Sequence, residues 1–140
     1  MADKNFRGFD GTVTQLNNFE NRANHVGKPT GDVNNYNSIG IEAVGMSVDK
    51  DGNPTTDWRK ATGWESLTGE QIESTAQSVN AIMGEYDLGI DDIFPHEDVS
   101  RKVDGEGGTV LNAIKARMKN LMLYHHKRLP LIHHLKEAYF

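Results

Sequence analysis

Residues 68–86 read TGEQIESTAQSVNAIMGEY and carry the strongest helical signal in the chain. Thr68 with Gln71 three positions later is typical of a capping box, in which each side chain bonds the backbone of the other residue. Apolar side chains then recur at the three- and four-residue spacing of one helix face: Ile72, Ala76, Val79, Met83 and Tyr86. We predict a helix that begins after Thr68, buries this face and ends near Gly89.

A second apolar face follows the glycine-rich residues 105–108 and predicts another helix. Its members are Val110, Ile114, Met118, Leu121 and His125. Because proline cannot continue a helix, Pro130 should end or kink it. We therefore predict one domain over residues 1–129, followed by a short apolar tail at residues 130–140.

The chain before the first helix is predicted to consist of loops and short strands. Residues 39–48, IGIEAVGMSV, alternate apolar positions and predict the better strand, on which Glu42 is an acid among apolar neighbours. Residues 9–16 predict a turn at Asp10-Gly11 and then a shorter strand, whereas residues 49–60 predict a polar surface loop.

Composition excludes several classes of protein. The 140 residues are the usual size of one domain, and their net charge of −5 argues against a nucleic-acid partner. No apolar run approaches the roughly 20 residues of a membrane-spanning helix, so no membrane partner is expected. The chain has no cysteine, so a metal would have to bind histidine, aspartate or glutamate. Residues 1–7 are polar, so we expect no secretory signal and synthesis that ends in the host cytoplasm.

Acid–base and metal-ligand side chains are densest at residues 95–105, PHEDVSRKVDG, in a loop predicted between the two helices. His96 and Asp104 are eight residues apart, and a looped segment can bring an imidazole nitrogen and a carboxylate oxygen to one metal ion. Nitrogen and oxygen ligands without sulfur suit a catalytic zinc. One histidine near one aspartate is also an ordinary surface arrangement, so these residues alone leave both interpretations open.

Separated segments of the chain together resemble the type 2 N-acetylmuramoyl-L-alanine amidases, a family that includes phage endolysins and is related to peptidoglycan recognition proteins. Residues 10–16, DGTVTQL, and 22–27, RANHVG, are similar to its D-G-x-v-x-q-L hairpin and its A-w-H-a-G loop. Residues 37–42, NSIGIE, resemble its N-x-S-I-G-I-E strand, and residues 96–105 resemble its terminal H-x-D-v-s-x-x-K-x-D-P-G motif. The resemblance extends over residues 9–118.

The resemblance implies a zinc-dependent hydrolase that cleaves the amide between the lactyl group of muramic acid and the L-alanine of the peptidoglycan stem peptide. Carried over by position, it makes His96 and Asp104 zinc ligands. Lys102 would stabilise the oxyanion while water attacks the carbonyl, and Glu42 would assist proton transfer. This chemistry is coherent, because zinc lowers the pKa of bound water to about 7 and an ammonium offsets charge on the carbonyl oxygen.

The resemblance also implies a fold and a substrate groove. The expected fold is α/β, with a small mixed central sheet flanked by helices, and the expected partner is peptidoglycan. His25 would line the groove with Asn37 and Ser38, without being a family metal ligand.

Two departures from the family pattern carry expectations of their own. The family has D-P-G where residues 104–107 read DGEG, so we expect a less rigid loop around Asp104. In the family, an earlier strand supplies the first zinc histidine, whereas the residues before Phe9 include no histidine or tyrosine. We therefore expect a fold that lacks the family's first strand and a zinc site whose third ligand is not identified in this chain.

Three alternatives follow for the incomplete site. In the first, another polypeptide supplies the strand and the histidine, and the chain is an obligate partner in an assembly. In the second, His25 is the replacement ligand. In the third, the site is inactive, and the chain is a structural or cell-wall-binding component of a phage virion such as its tail. The first two correspond to a phage or prophage amidase that acts at the cell wall or within a virion.

Overall fold

The computed structural model describes the backbone of residues 9–102 and 105–128, with side chains through residue 119. In chain order it contains strand β1 (Ser47–Val48), strand β2 (Gly63–Trp64), helix α1 (Gly69–Tyr86), a 3₁₀ turn (Ile90–Asp92), helix α2 (His96–Val99) and helix α3 (Gly108–Arg128). A small sheet with helices agrees with the predicted α/β class. None of the helices in the described ranges is long and apolar enough to cross a bilayer. Pro130 and the predicted tail lie outside the described residues.

Helix α1 begins where the capping box predicts. Gln71 donates its backbone N–H to the Thr68 hydroxyl at 3.1 Å, and the Thr68 N–H donates to the Gln71 side-chain oxygen at 2.9 Å. These bonds use N–H groups that have no partner inside the helix. The helix ends at Tyr86, before the predicted stop near Gly89, because Asp87 adopts left-handed backbone angles with φ of 54°. A residue in this conformation turns the chain out of the helix.

The hydrophobic core lies between α1 and α3. The buried members of the cluster are Ala76, Val79, Met83, Leu111, Ile114 and Met118. On α3, Leu111 rather than the predicted Val110 begins the buried face, while Ile114 and Met118 are buried as predicted. Burial of a Val, Leu, Ile or Met side chain contributes about 1.5–3 kcal/mol to the free energy of folding. Packing against α1 therefore fixes the position of α3 and of the loop that leads into it.

The sheet is one antiparallel pair, in which Ser47 lies opposite Trp64 and Val48 lies opposite Gly63. Of the strand predicted over residues 39–48, the structure forms Ser47–Val48, and the Met46 carbonyl before it accepts the Glu65 N–H at 2.9 Å. The preceding part takes another partner, because the buried Gln71 side chain donates to the Val44 carbonyl at 2.8 Å. Alternating apolar residues form a paired strand only where a neighbouring strand is present, and residues 39–46 lie in no ladder of the described structure.

The shorter strand predicted after Asp10-Gly11 does not form within the described residues. The turn itself is present, since Gly11 has φ of +79° and Thr12 donates its N–H to the Asp10 carboxylate at 2.9 Å. Val13 and Leu16 are 61% and 91% exposed. Their apolar side chains therefore do not mark a buried strand face.

Candidate active site

One carboxylate holds the short helix α2 against the start of α3. Glu97 accepts hydrogen bonds from the backbone N–H groups of Gly105 at 3.2 Å, Gly107 at 2.6 Å and Gly108 at 2.9 Å. The first N–H groups of an α-helix lack partners inside the helix, and an anion near them is favoured by the helix dipole. Glu97 thus caps α3 and fixes its neighbour His96 relative to that helix.

The electrostatics of Glu97 suit this capping role. Partial burial acts to raise the pKa of Glu97, but hydrogen bonds from backbone N–H groups outweigh it and hold the pKa below its ordinary value. Those bonds come from its own N–H and from Gly107, Gly108 and Gly105. Because hydrogen bonds to a carboxylate stabilise its charged form, the cap is ionised at neutral pH.

Glycine is required where the loop touches α2. A Cβ atom added at Gly107 would lie 2.3 Å from the backbone nitrogen of His96, and one added at Gly108 would lie 2.6 Å from Oε1 of Glu97. Gly105 has φ of +82°, which proline, with φ near −65°, cannot adopt. These contacts hold residues 105–108 against α2, whereas Asp104, around which reduced rigidity was predicted, lies outside the described residues.

Two predicted site residues, His96 and Lys102, meet at a third side chain, Glu106. Oε1 of Glu106 lies 3.3 Å from Nδ1 of His96 and 3.0 Å from Nζ of Lys102. The other ring nitrogen of His96, Nε2, is buried and has no hydrogen-bond partner among the described residues. An imidazole, an ammonium and a carboxylate therefore form one cluster before α3, which we call the His96 cluster.

Two chain segments that are distant in sequence pair beside α2. Thr30 donates its N–H to the Val99 carbonyl at 3.1 Å. Lys28 donates its N–H at 3.3 Å to the hydroxyl of Ser100, which is buried. This pairing brings the loop that precedes Lys28 next to Lys102.

An open pocket of about 360 Å³ lies where these segments meet, lined by Arg22, residues 24–27, Asn35 and Lys102. The Asn35 side chain fixes the backbone of the loop at His25 and Val26. Its side-chain oxygen accepts the N–H groups of His25 at 2.9 Å and Val26 at 2.7 Å, and its amide donates to the Val26 carbonyl at 2.9 Å. Lys102 thus belongs both to the pocket lining and to the His96 cluster.

His25, predicted to line the groove and considered as a replacement zinc ligand, borders this pocket. Its Nδ1 lies 2.9 Å from the Ala23 carbonyl oxygen, and its Nε2 lies 2.9 Å from the Ser38 hydroxyl. A carbonyl oxygen only accepts hydrogen bonds, so Nδ1 carries a proton. Both ring nitrogens thus lie within hydrogen-bond distance of protein atoms, and the role of His25 as a replacement zinc ligand stays a prediction.

The predicted substrate-binding residues Asn37 and Ser38 brace the loop that carries them. Asn37 accepts the Asn34 N–H at 2.8 Å and donates to the Asp32 carbonyl at 3.0 Å. Ser38 donates to the Asn34 carbonyl at 2.6 Å, in addition to its contact with His25. Their role toward substrate stays a prediction.

The other two predicted site residues are not joined to the His96 cluster in the described part of the chain. Glu42 is exposed, and no hydrogen bond or ion pair links it to a described residue. Asp104 lies outside the described residues. The roles of Glu42 in proton transfer and of Asp104 as a zinc ligand stay predictions.

The surroundings of His96 fit one ligand of a metal site. A metal-binding imidazole commonly has its second nitrogen against a carboxylate, which fixes the tautomer and orientation of the ring. Here Nδ1 faces Glu106, while the buried Nε2 is unpartnered among the described residues. Within residues 9–102 and 105–119, no three His, Asp or Glu side chains form a group that could hold an ion. The further ligands therefore stay open.

Glu97 and Glu106 have structural roles at this site that the sequence reasoning missed. Glu97 directly follows the candidate histidine and precedes a glycine-rich helix start, where an acidic cap is favoured. Glu106 stands four positions after Lys102, close enough for an ion pair. These spacings were available signals, although the contact of Gly107 with His96 was not.

A family model described as N-acetylmuramoyl-L-alanine amidase matches residues 6–107 of the chain. The matched range contains the pocket lining and the whole His96 cluster, and it stops just before α3. Searches of curated proteins and of solved structures found no match.

Proposed function

This chain belongs to the type 2 N-acetylmuramoyl-L-alanine amidase family, and we propose that it is a zinc-dependent hydrolase of peptidoglycan. The bond cleaved is the amide between the lactyl group of muramic acid and the L-alanine of the stem peptide. Water adds to the carbonyl carbon, the carbon–nitrogen bond breaks, and the products are a lactyl carboxylate and a peptide with a free amino terminus. The observation that carries the proposal is the meeting of His96 and Lys102 at Glu106, beside the pocket.

His96 would hold the zinc ion through Nε2. Buried polar atoms in proteins nearly always have a hydrogen-bond partner, whereas this nitrogen has none among the described residues. A ligand at Nε2 would satisfy it. Asp104 is the proposed second ligand, since nitrogen and carboxylate donors suit zinc. Bound zinc supplies Lewis-acid activation of the attacking water.

Lys102 is the proposed oxyanion-stabilising residue. Negative charge grows on the carbonyl oxygen as water adds, and a fixed cation nearby stabilises that transition state. The Lys102 side chain lines the pocket, and its ammonium is held 3.0 Å from the Glu106 carboxylate. Glu42, which is exposed, is proposed to deliver the proton that the leaving amine requires.

We propose that the pocket binds the stem peptide. Its lining carries two cations, Lys102 and Arg22, and the Arg22 guanidinium lies 4.6 Å from the centre of the Tyr36 ring. Stem peptides carry carboxylates, which such cations attract. His25, Asn37 and Ser38 are the proposed substrate contacts on the neighbouring loop. The proposed setting is a phage or prophage, with action at the bacterial cell wall.

One observation favours a second candidate function. The described residues contain no group of three side chains that could hold a metal ion, and a catalytic zinc usually has three protein ligands. The alternative is therefore an amidase-like domain that binds the wall without cutting it, as a structural component of a virion. An active enzyme would need a further ligand from outside the described residues or from a partner protein.

Metal analysis combined with a peptidoglycan assay separates the two candidates. Zinc-loaded protein is incubated with purified sacculi, alone and together with a candidate partner, the product of the gene adjacent to the one that encodes this chain, and released peptides are quantified. We expect about one zinc per chain and release of stem peptides, with both lost in His96→Ala. His25→Ala is the matched histidine control and should retain its zinc. Zinc-free, inactive protein under both conditions would eliminate the enzyme.

A further inference from the structure

We propose that Glu106 is a positioning residue, which holds the His96 ring in the tautomer that leaves Nε2 free for a metal and orients the Lys102 ammonium. This inference rests on the proposed function, because it assigns a metal to Nε2. It concerns a residue that the family motif does not include, since Glu106 lies in the stretch where the chain departs from D-P-G.

The position of Glu106 is fixed by its neighbours on both sides. Gly105 and Gly107 each donate their backbone N–H to Glu97, at 3.2 Å and 2.6 Å. Gly107 also packs so tightly on the His96 backbone that no Cβ could be accommodated. The backbone of Glu106 is thus held beside His96 by contacts that its own side chain does not make.

The side chain of Glu106 lies next to one ring nitrogen of His96, and this contact also determines which form the other nitrogen takes. Oε1 of Glu106 lies 3.3 Å from Nδ1 of His96, and a negative charge at this distance favours the tautomer that carries its proton on Nδ1. In a neutral imidazole the other nitrogen then carries the lone pair. That atom is Nε2, which is buried and unpartnered in the described structure.

Glu106 also acts on the charge next to His96. The same oxygen, Oε1, lies 3.0 Å from the Lys102 ammonium. Without the carboxylate, an uncompensated positive charge would remain near the imidazole and repel a metal cation bound there. Retaining Glu106 therefore favours both the ligand form of His96 and the binding of a cation.

Nitrogen NMR reports the tautomer directly and requires no enzyme activity. Long-range ¹H–¹⁵N spectra of metal-free protein are recorded under conditions in which the ¹⁵N shifts themselves show a neutral His96 ring, and His96 is assigned with His96→Gln. We expect Nδ1 to be protonated in the wild type. In Glu106→Ala this preference should be lost. In Glu106→Gln, which keeps an oxygen but no charge, the preference for a proton on Nδ1 should weaken.

Zinc affinity, measured by competition with a chelator, is the second readout. We expect a 10–100-fold loss in Glu106→Ala, as for other residues that orient a metal-binding histidine, and a smaller loss in Glu106→Gln. Glu85→Ala removes an exposed glutamate at the end of α1 and should change neither readout. Circular dichroism establishes that each variant is folded.

The outcomes are distinguishable from those of the proposed function. An unchanged His96 tautomer and unchanged zinc affinity in Glu106→Ala would overturn the positioning role. If that variant does not fold, the isosteric Glu106→Gln decides, and unchanged NMR and zinc affinity there would overturn it. If the wild type holds no zinc, the proposed function fails and the tautomer alone decides this inference. If the His96 tautomer depends on Glu106 but the wild type does not cleave sacculi, the positioning role is supported and the proposed enzyme activity is contradicted.

Discussion

The carboxylate of Glu97 lies 2.6 Å from the backbone nitrogen of Gly107, and Gly107 itself packs against the backbone of His96. Glu97, which directly follows the candidate metal ligand His96, therefore holds the loop against which His96 packs. Helix α2 and the start of α3 form one unit through this contact. A change on either side of it should alter stability and the candidate site together.

Replacing the cap should destabilise the protein. Glu97→Ala removes the acceptor for three backbone N–H groups, and we expect the free energy of unfolding to fall by about 1–3 kcal/mol. Urea denaturation measures the change. Glu85→Ala, an exposed glutamate on α1, should alter stability by no more than about 0.5 kcal/mol. Equal effects of the two variants would mean that Glu97 is not a cap.

A methyl group at Gly107 should be poorly tolerated. It would lie 2.3 Å from the His96 nitrogen, so α2 must shift, and we expect Gly107→Ala to cost about 1–3 kcal/mol. Zinc binding should weaken in the same variant. Gly45→Ala is the matched control, because no atom lies within 4 Å of its added Cβ. Wild-type stability in Gly107→Ala would contradict the close contact.

Truncation of the core should separate buried from exposed apolar residues. Met118 is 1% exposed between α1 and α3, and Met118→Ala should lower the free energy of unfolding by about 2–5 kcal/mol. Leu16 is 91% exposed, so Leu16→Ala should leave stability within about 0.5 kcal/mol of the wild type. A similar loss in both would argue against the packing of α3 on α1.

The ion pair between Glu73 and Arg117, which joins α1 to α3, should make part of the stability sensitive to acid. Hydrogen bonds from Arg117 and then from Gln77 lower the pKa of Glu73 below its ordinary value of 4.5. A carboxyl whose pKa is lower in the folded state stabilises the fold above the unfolded pKa, and this contribution is lost as pH falls through the folded pKa.

We therefore expect the difference in melting temperature between the wild type and Glu73→Gln to be constant above about pH 5 and to shrink below about pH 4.5. Because both side chains are partly exposed, added salt should reduce the difference. A difference that does not depend on pH would show that ionised Glu73 contributes nothing.

Removal of the Lys102 ammonium should affect turnover more than folding. If Lys102 stabilises the oxyanion, Lys102→Ala should lower kcat by about 10²–10³-fold, while the melting temperature changes little because the side chain is partly exposed. Lys50→Ala, which removes an exposed lysine paired with Asp51, should retain wild-type turnover. Unchanged turnover in Lys102→Ala would remove this role.

Helices α1 and α3 could be predicted from the sequence because their signals are local, whereas α2 lies within residues 95–105, which were predicted to form a loop. The capping box of Thr68 and the spacing of Ala76, Val79 and Met83 determine α1 without reference to the rest of the chain. The prediction of a strand over residues 39–48 was wrong except at Ser47–Val48. A strand depends on a pairing neighbour, which the alternation of apolar residues does not identify. There the buried Gln71 bonds the backbone instead.

The candidate site could be predicted in part. His96 and Lys102 were identified from a motif with defined spacing, and the structure brings both to one carboxylate. Glu106 could not be identified from the motif, because it stands where the chain departs from the family pattern. Its place beside His96 depends on the tight contact of Gly107, which is a property of the folded backbone.

The proposed activity is tested most directly by identifying the new terminal group that forms on the stem peptides when zinc-loaded protein acts on sacculi. Mass spectrometry with amino-group labelling should detect stem peptides that begin with a free L-alanine amino terminus, and these should be absent after treatment with His96→Ala. Intact sacculi in the presence of zinc and the product of the adjacent gene, or equal release by His96→Ala, would contradict cleavage of the lactyl–alanine amide by a site that requires His96.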